Sequence, residues 1–222
     1  MKYLLTSGGI KNKSIHNELL RLLGKPIEEC DALCITTASY ARSNGAKMAY
    51  GYINGLSSTP MCELGWKSIG NLELSALSQC DPEVLIEQAS KADVFLVNGG
   101  DPLFLYYWMK ESGFDQLIPK LDAVYVGLSA GSMVITPRIG SDFVNWNKHH
   151  MSDATCNLVP FSIFPHLNHV KLPDNNLENA QKWADEIGIE CYAISDETAL
   201  SVVDSEIRII SEGTWRKFPS ES

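Results

Sequence analysis

The strongest chemical signal in the chain is Val126-Gly127-Leu128-Ser129-Ala130-Gly131-Ser132, which matches G-x-S-x-G. An apolar run precedes it and a segment predicted to be helical follows, which is the context a nucleophile elbow needs. A tight strand-to-helix turn lifts the serine hydroxyl above a sheet. Gly127 and Gly131 leave room for strained backbone and close packing. The amides that open the helix point toward a developing oxyanion. Ser129 is therefore expected to be the nucleophile of an acyl-transfer reaction. A second turn, Val97-Asn98-Gly99-Gly100-Asp101-Pro102, also ends an apolar run, and its glycine amides could add donors to the same oxyanion hole.

A serine nucleophile needs a base. The histidines are His16, His149, His150, His166 and His169. His16 falls in a surface helix, and His149 and His150 in a polar loop. His166 follows Leu158-Val159-Pro160-Phe161-Ser162-Ile163 and Phe164-Pro165, so it is placed at a strand end. It is the first candidate for the base, with His169 second.

Positioning these groups requires strands whose carboxyl ends gather. Four brief runs have that form: Tyr3 to Leu5, Ala32 to Ile35, Val94 to Val97, and Ala123 to Gly127. Each is apolar and gives way to small or polar residues, as buried parallel strands do. Between them, Ser14 to Leu23 carries Ile15, Leu19, Leu20 and Leu23 on one face and stops at Gly24. Asp81-Pro82 and Asp101-Pro102 each combine a capping aspartate with proline at the first helical position, and Gly113 stops the second of these helices. Asn175 to Ile187 is predicted helical, stopped by Gly188. Then come Cys191 to Ser195, and Ala199 to Val203 paired antiparallel with Arg208 to Ile210 around Asp204-Ser205. The pattern predicts a single α/β domain over residues 1–222: a three-layer sandwich with a mostly parallel sheet, whose ligand site lies beyond the strands' carboxyl ends.

Bulk properties agree with a small-molecule enzyme. The 222 residues are 45% hydrophobic and 20% charged, with a formal net charge of −9. That charge argues against a nucleic-acid partner. An acidic substrate would need a local cation. The six cysteines form no CxxC pair and no zinc-like spacing with histidine, so they are expected to be reduced thiols in a cytoplasmic protein. No metal or cofactor is expected. No segment is long enough to span a membrane.

Four segments occur in a telling order: the turn Asn-Gly-Gly-Asp-Pro, the elbow Gly-Leu-Ser-Ala-Gly-Ser, then Ile-Phe-Pro-His and Ser-Asp-Glu-Thr-Ala-Leu. Together they resemble the peptidase E family of aspartyl dipeptidases, which also includes cyanophycinases. The similarity runs over about residues 1 to 215. It implies a fold like that of class I glutamine amidotransferases, with serine replacing cysteine at the elbow. It also implies a Ser–His–Glu arrangement, in which Ser129 matches the nucleophile, His166 the base and Glu197 the acid. Asp196 competes for the last role. Proline at 102 removes one donor, so the oxyanion hole would use Gly99, Gly100 and Ala130. Asp142 stands near the family's substrate-binding segment and is the candidate partner of a substrate α-ammonium. Arg138 is the nearest basic residue after the elbow and is the candidate for an acidic side chain. The resemblance implies a serine peptidase acting on short peptides, dipeptides with N-terminal aspartate among them, with a homodimer as a permitted assembly. A cyanophycinase-like or other small-amide or ester hydrolase, and a catalytically silent binding domain, are the alternatives.

Overall fold

The computed structural model describes residues 1–77, 79–146 and 152–220. The strands are β1 (Lys2–Thr6), β2 (Asp31–Ile35), β3 (Ser68–Asn71), β4 (Val94–Val97), β5 (Val124–Leu128), β6 (Ser162–Phe164), β7 (Cys191–Ile194), β8 (Thr198–Val203), β9 (Glu206–Ser211) and β10 (Trp215–Phe218). The α-helices are α1 (Lys13–Leu23), α2 (Gly45–Ile53), α3 (Leu74–Leu77), α4 (Pro82–Ser90), α5 (Pro102–Ser112), α6 (Phe114–Leu117), α7 (Ala130–Met133) and α8 (Leu177–Ile187). A seven-stranded sheet has the order β3-β2-β4-β5-β1-β8-β9. Its first five strands run parallel, while β8 and β9 are antiparallel.

The apolar runs are continuous because both faces of this sheet are covered. In β4, Phe95 and Val97 join a core with Leu74 of α3, Leu85 of α4, Met109 of α5 and Phe114 of α6. Val94 and Leu96 face the opposite core, with Ile15, Leu19 and Leu22 of α1 and Tyr52 of α2. The result is a three-layer α/β sandwich. Three caps fall where the sequence places them: Gly24 ends α1 at φ 70°, and Asp81 and Asp101 open α4 and α5, while α1 starts at Lys13 on a cap from Asn12 that the sequence reading did not name.

A second sheet of order β10-β7-β6 was not foreseen. It packs on α8 through Phe164, Ala193, Phe218 and Trp183. The strand expected from Leu158 is shorter than its apolar run. The amides of Leu158 and Val159 donate to the Ile135 carbonyl instead of to a strand, and pairing starts only at Ser162. Among the described residues no helix is long and apolar enough to cross a membrane, and no group of side chains could hold a metal ion.

Candidate active site

Strand ends assemble the site. β1 and β5 are adjacent and parallel, with Thr6 opposite Leu128. Ser7 and Ser129, the next residue of each strand, therefore emerge side by side. In the second sheet β6 and β7 are also parallel, with Phe164 opposite Ala193. His166 and Asp196 each lie two residues beyond their strand end, so they too are neighbours. The two sheets deliver one pair each.

The elbow has the predicted backbone. Ser129 sits at φ 50° and ψ −109° before α7. A Cβ on Gly127 would lie 2.6 Å from the Gly131 carbonyl oxygen, so no side chain fits there. Thr6 pins the turn: its carbonyl accepts from the Ser129 amide (3.0 Å) and the Ser132 hydroxyl (2.8 Å).

His166 Nε2 lies 2.9 Å from Ser129 Oγ, and His166 Nδ1 lies 2.7 Å from Asp196 Oδ1. An ionised carboxylate only accepts, so Nδ1 carries the proton and Nε2 is free to accept from the serine hydroxyl. Burial works against the charge on Asp196. The His166 ring and then the Lys11 ammonium, 3.0 Å from Oδ2, outweigh it and hold the carboxyl well below the usual carboxylate range.

This corrects one expectation. The carboxylate on His166 is Asp196, not Glu197. Glu197 is exposed beside Gly213, and its backbone carbonyl accepts from the Asn12 side chain. Consecutive residues point their side chains apart, and only one can face the imidazole. His169 is a neighbour rather than the base: its Nε2 is 3.7 Å from Asp196 Oδ2, and its Nδ1 accepts from the Lys171 amide. His149 and His150 lie outside the described residues.

The glycine turn stands against the elbow, since a Cβ on Gly99 would lie 3.4 Å from Ser129 Cβ. The Gly99 amide, however, donates to Asn98 Oδ1 at 2.8 Å and is already committed. Gly100 (φ 150°) and Ala130 show no amide hydrogen bond among the described residues and remain as free donors. Asp101 caps α5 by accepting from the Leu103 and Phe104 amides. Burial pushes its carboxyl up, and those two bonds oppose the shift.

Neither proposed substrate residue is brought to Ser129. Arg138 Nε donates to Asp153 at 2.9 Å, and Nη1 reaches the Glu186 and Ile187 carbonyls at the end of α8. Proximity in sequence misleads here, because the chain turns away after α7. Asp142 is exposed and lines a cavity of about 500 Å³ with Phe164, Asn175 and Trp183; neither Ser129 nor His166 lines it. Ser7 and Lys11 were not anticipated. The signal for Ser7 was its place directly after the first strand.

The model of peptidase family S51 matches residues 3–210. A protein named Peptidase E from Nostoc sp. (strain PCC 7120) is 29% identical over 136 residues, covering 58% of this chain and 56% of its own. An uncharacterized peptidase from Listeria monocytogenes is 29% identical over 124 residues, covering 53% and 60%. The matches thus span little more than half the length of these relatives. Among solved structures, a candidate peptidase E protein from Listeria monocytogenes superposes with a TM-score of 0.67 at 20% identity, covering 96% of this chain and 98% of that one. A peptidase from an acI-B1 Actinobacterium gives 0.64 at 17% identity, covering 100% and 95%. At these identities the structures speak for the fold, and it is the family model, matched over nearly all 222 residues, by which the chain belongs to peptidase family S51.

Proposed function

We propose that the protein is a serine peptidase that hydrolyses short peptides through an acyl-enzyme, with dipeptides carrying N-terminal aspartate as the first substrates to test. One observation carries the reading: the continuous relay Ser129 Oγ, His166 Nε2, His166 Nδ1, Asp196 Oδ1, with contacts of 2.9 and 2.7 Å.

In this mechanism Ser129 Oγ attacks the scissile carbonyl while Nε2 takes its proton. The tetrahedral oxyanion forms between the Gly100 and Ala130 amides. The imidazolium returns the proton to the leaving amine, and the C–N bond breaks to leave an ester on Ser129. Water, deprotonated by His166, then releases the acid. Asp196 keeps the imidazole tautomer and offsets its positive charge. The fit of a small substrate rests on the family likeness; Arg138 is committed elsewhere and supplies no carboxylate contact.

The test is a dipeptide panel with wild-type protein and Ser129→Ala, alongside a fluorophosphonate probe. Expected is cleavage of free Asp-X dipeptides and labelling at Ser129, both lost in the variant. Equal cleavage by Ser129→Ala would overturn the mechanism. Faster cleavage of long or N-blocked peptides would overturn the dipeptide assignment alone.

A further inference from the structure

The turn between β1 and α1 closes on Asp196 at three points. Ser7 is wholly buried. Its Oγ accepts from the His166 backbone amide at 2.7 Å and donates to Asp196 Oδ1 at 3.0 Å. Lys11 Nζ donates to the other oxygen, Oδ2, at 3.0 Å. Between them, a Cβ on Gly8 would lie 2.8 Å from Asp196 Cβ, so the turn is seated directly on the carboxylate residue.

We propose that Ser7 and Lys11 are positioning residues of the site, holding the Asp196 carboxylate and, through it, the His166 imidazole in line with Ser129. A carboxylate bonded only through Oδ1 can rotate about its Cβ–Cγ bond. Here one turn supplies a donor to each oxygen, so rotation would break both. His166 also holds φ 59°, a backbone conformation that costs energy for a non-glycine residue and persists only if its surroundings enforce it. Its amide bond to Ser7 does so. Ser7 therefore fixes the histidine twice, at its backbone and through its carboxylate partner. Lys11 has a second effect: its charge helps to keep the partly buried Asp196 carboxylate ionised. Among the described residues, His169, on the loop after β6, also faces Asp196, with its Nε2 3.7 Å from Oδ2.

The inference rests on the serine-hydrolase reading for its consequence but not for its test. Full-length wild type, Ser7→Ala, Ser7→Thr, Lys11→Met and Lys11→Arg are compared by two readouts. These are the rate of Ser129 labelling by a fluorophosphonate as a function of pH, and the NMR resonance of the His166 Nδ1 proton. Ser7→Ala is expected to slow labelling by about 10- to 100-fold, the cost of a small misplacement of a reacting group, and to weaken or shift the Nδ1 resonance. Ser7→Thr keeps the hydroxyl and should restore both in part. Lys11 is partly exposed, so Lys11→Met should fold regardless; it should slow labelling and shift the Nδ1 resonance, and Lys11→Arg should restore both in part. Wild-type rates, profiles and Nδ1 signals in both Ser7→Ala and Lys11→Met would overturn the inference. If wild type fails to label while the Nδ1 signal still depends on Ser7, the hydrolase reading falls and the positioning role stands.

Discussion

Ser129 Oγ and His166 Nε2 meet at 2.9 Å, and both residues hold left-handed backbone, at φ 50° and φ 59°. Neither is glycine, so each conformation costs on the order of 1–3 kcal/mol. The strain is sustained by bonds to the end of β1: the Ser129 amide donates to the Thr6 carbonyl, and the His166 amide to Ser7. Two strained residues joined by one hydrogen bond, each anchored to the same strand end, is the arrangement of a site held in a reactive geometry at the expense of stability.

A trade follows from that strain. Ser129→Gly removes the proposed nucleophile but also removes the side chain that makes φ 50° costly. Relief of strain should exceed the extra chain entropy of glycine, about 0.5–1 kcal/mol. Thermal unfolding should show a rise in Tm of a few degrees, roughly 2–4 °C per kcal/mol for a chain of this size, with no turnover. A fall in Tm would mean that the elbow is not strained.

The two adjacent carboxylates should separate cleanly. Asp196→Asn removes the charge that orients and stabilises the imidazolium, and kcat should fall by about 10⁴-fold, as when a triad aspartate is neutralised. Glu197→Gln should leave kcat within a few-fold of wild type. Steady-state kinetics on any substrate of the panel decides this, and the reverse ranking would restore Glu197 as the acid.

Asp196 also ties stability to acid. Its folded carboxyl is held below the unfolded value of about 3.9. A depressed folded value means that its stabilising contribution is fully present above that unfolded value and is lost as pH falls toward the folded one. Wild type should therefore unfold at higher temperature than Asp196→Asn at pH 7. The gap should narrow below about pH 4. A gap that stays constant from pH 7 to pH 3 would show that the carboxylate's charge is not what stabilises.

Arg138 is expected to matter for stability and not for chemistry. Its guanidinium joins Asp153 to the last carbonyls of α8, a favourable place for a cation. It is partly exposed, so screening keeps its worth small. Arg138→Ala should lower stability by about 1 kcal/mol while Ser129 labelling stays at the wild-type rate. A preference for aspartate over asparagine that narrowed in this variant, with Tm unchanged, would place Arg138 at the substrate after all.

Local information was enough for much of this molecule. The elbow, the buried parallel strands and the capped helices were legible from residues 1–10 apart, because strand periodicity, cap chemistry and glycine turns are short-range effects. Ser129 and His166 were legible for the same reason, each following its own strand. The acid was not. Asp196 and Glu197 are chemically alike and adjacent, and only the register of β6 against β7 decides which side chain meets the imidazole. Arg138 failed for the complementary reason: nine residues from the nucleophile in sequence, it is drawn to the end of α8, where carbonyls and Asp153 accept its donors. Ser7 and Lys11 stand more than 150 residues before His166. They reach the site because β1 lies beside β5 at the centre of the sheet, and strand order is a product of packing the whole chain that no local pattern encodes.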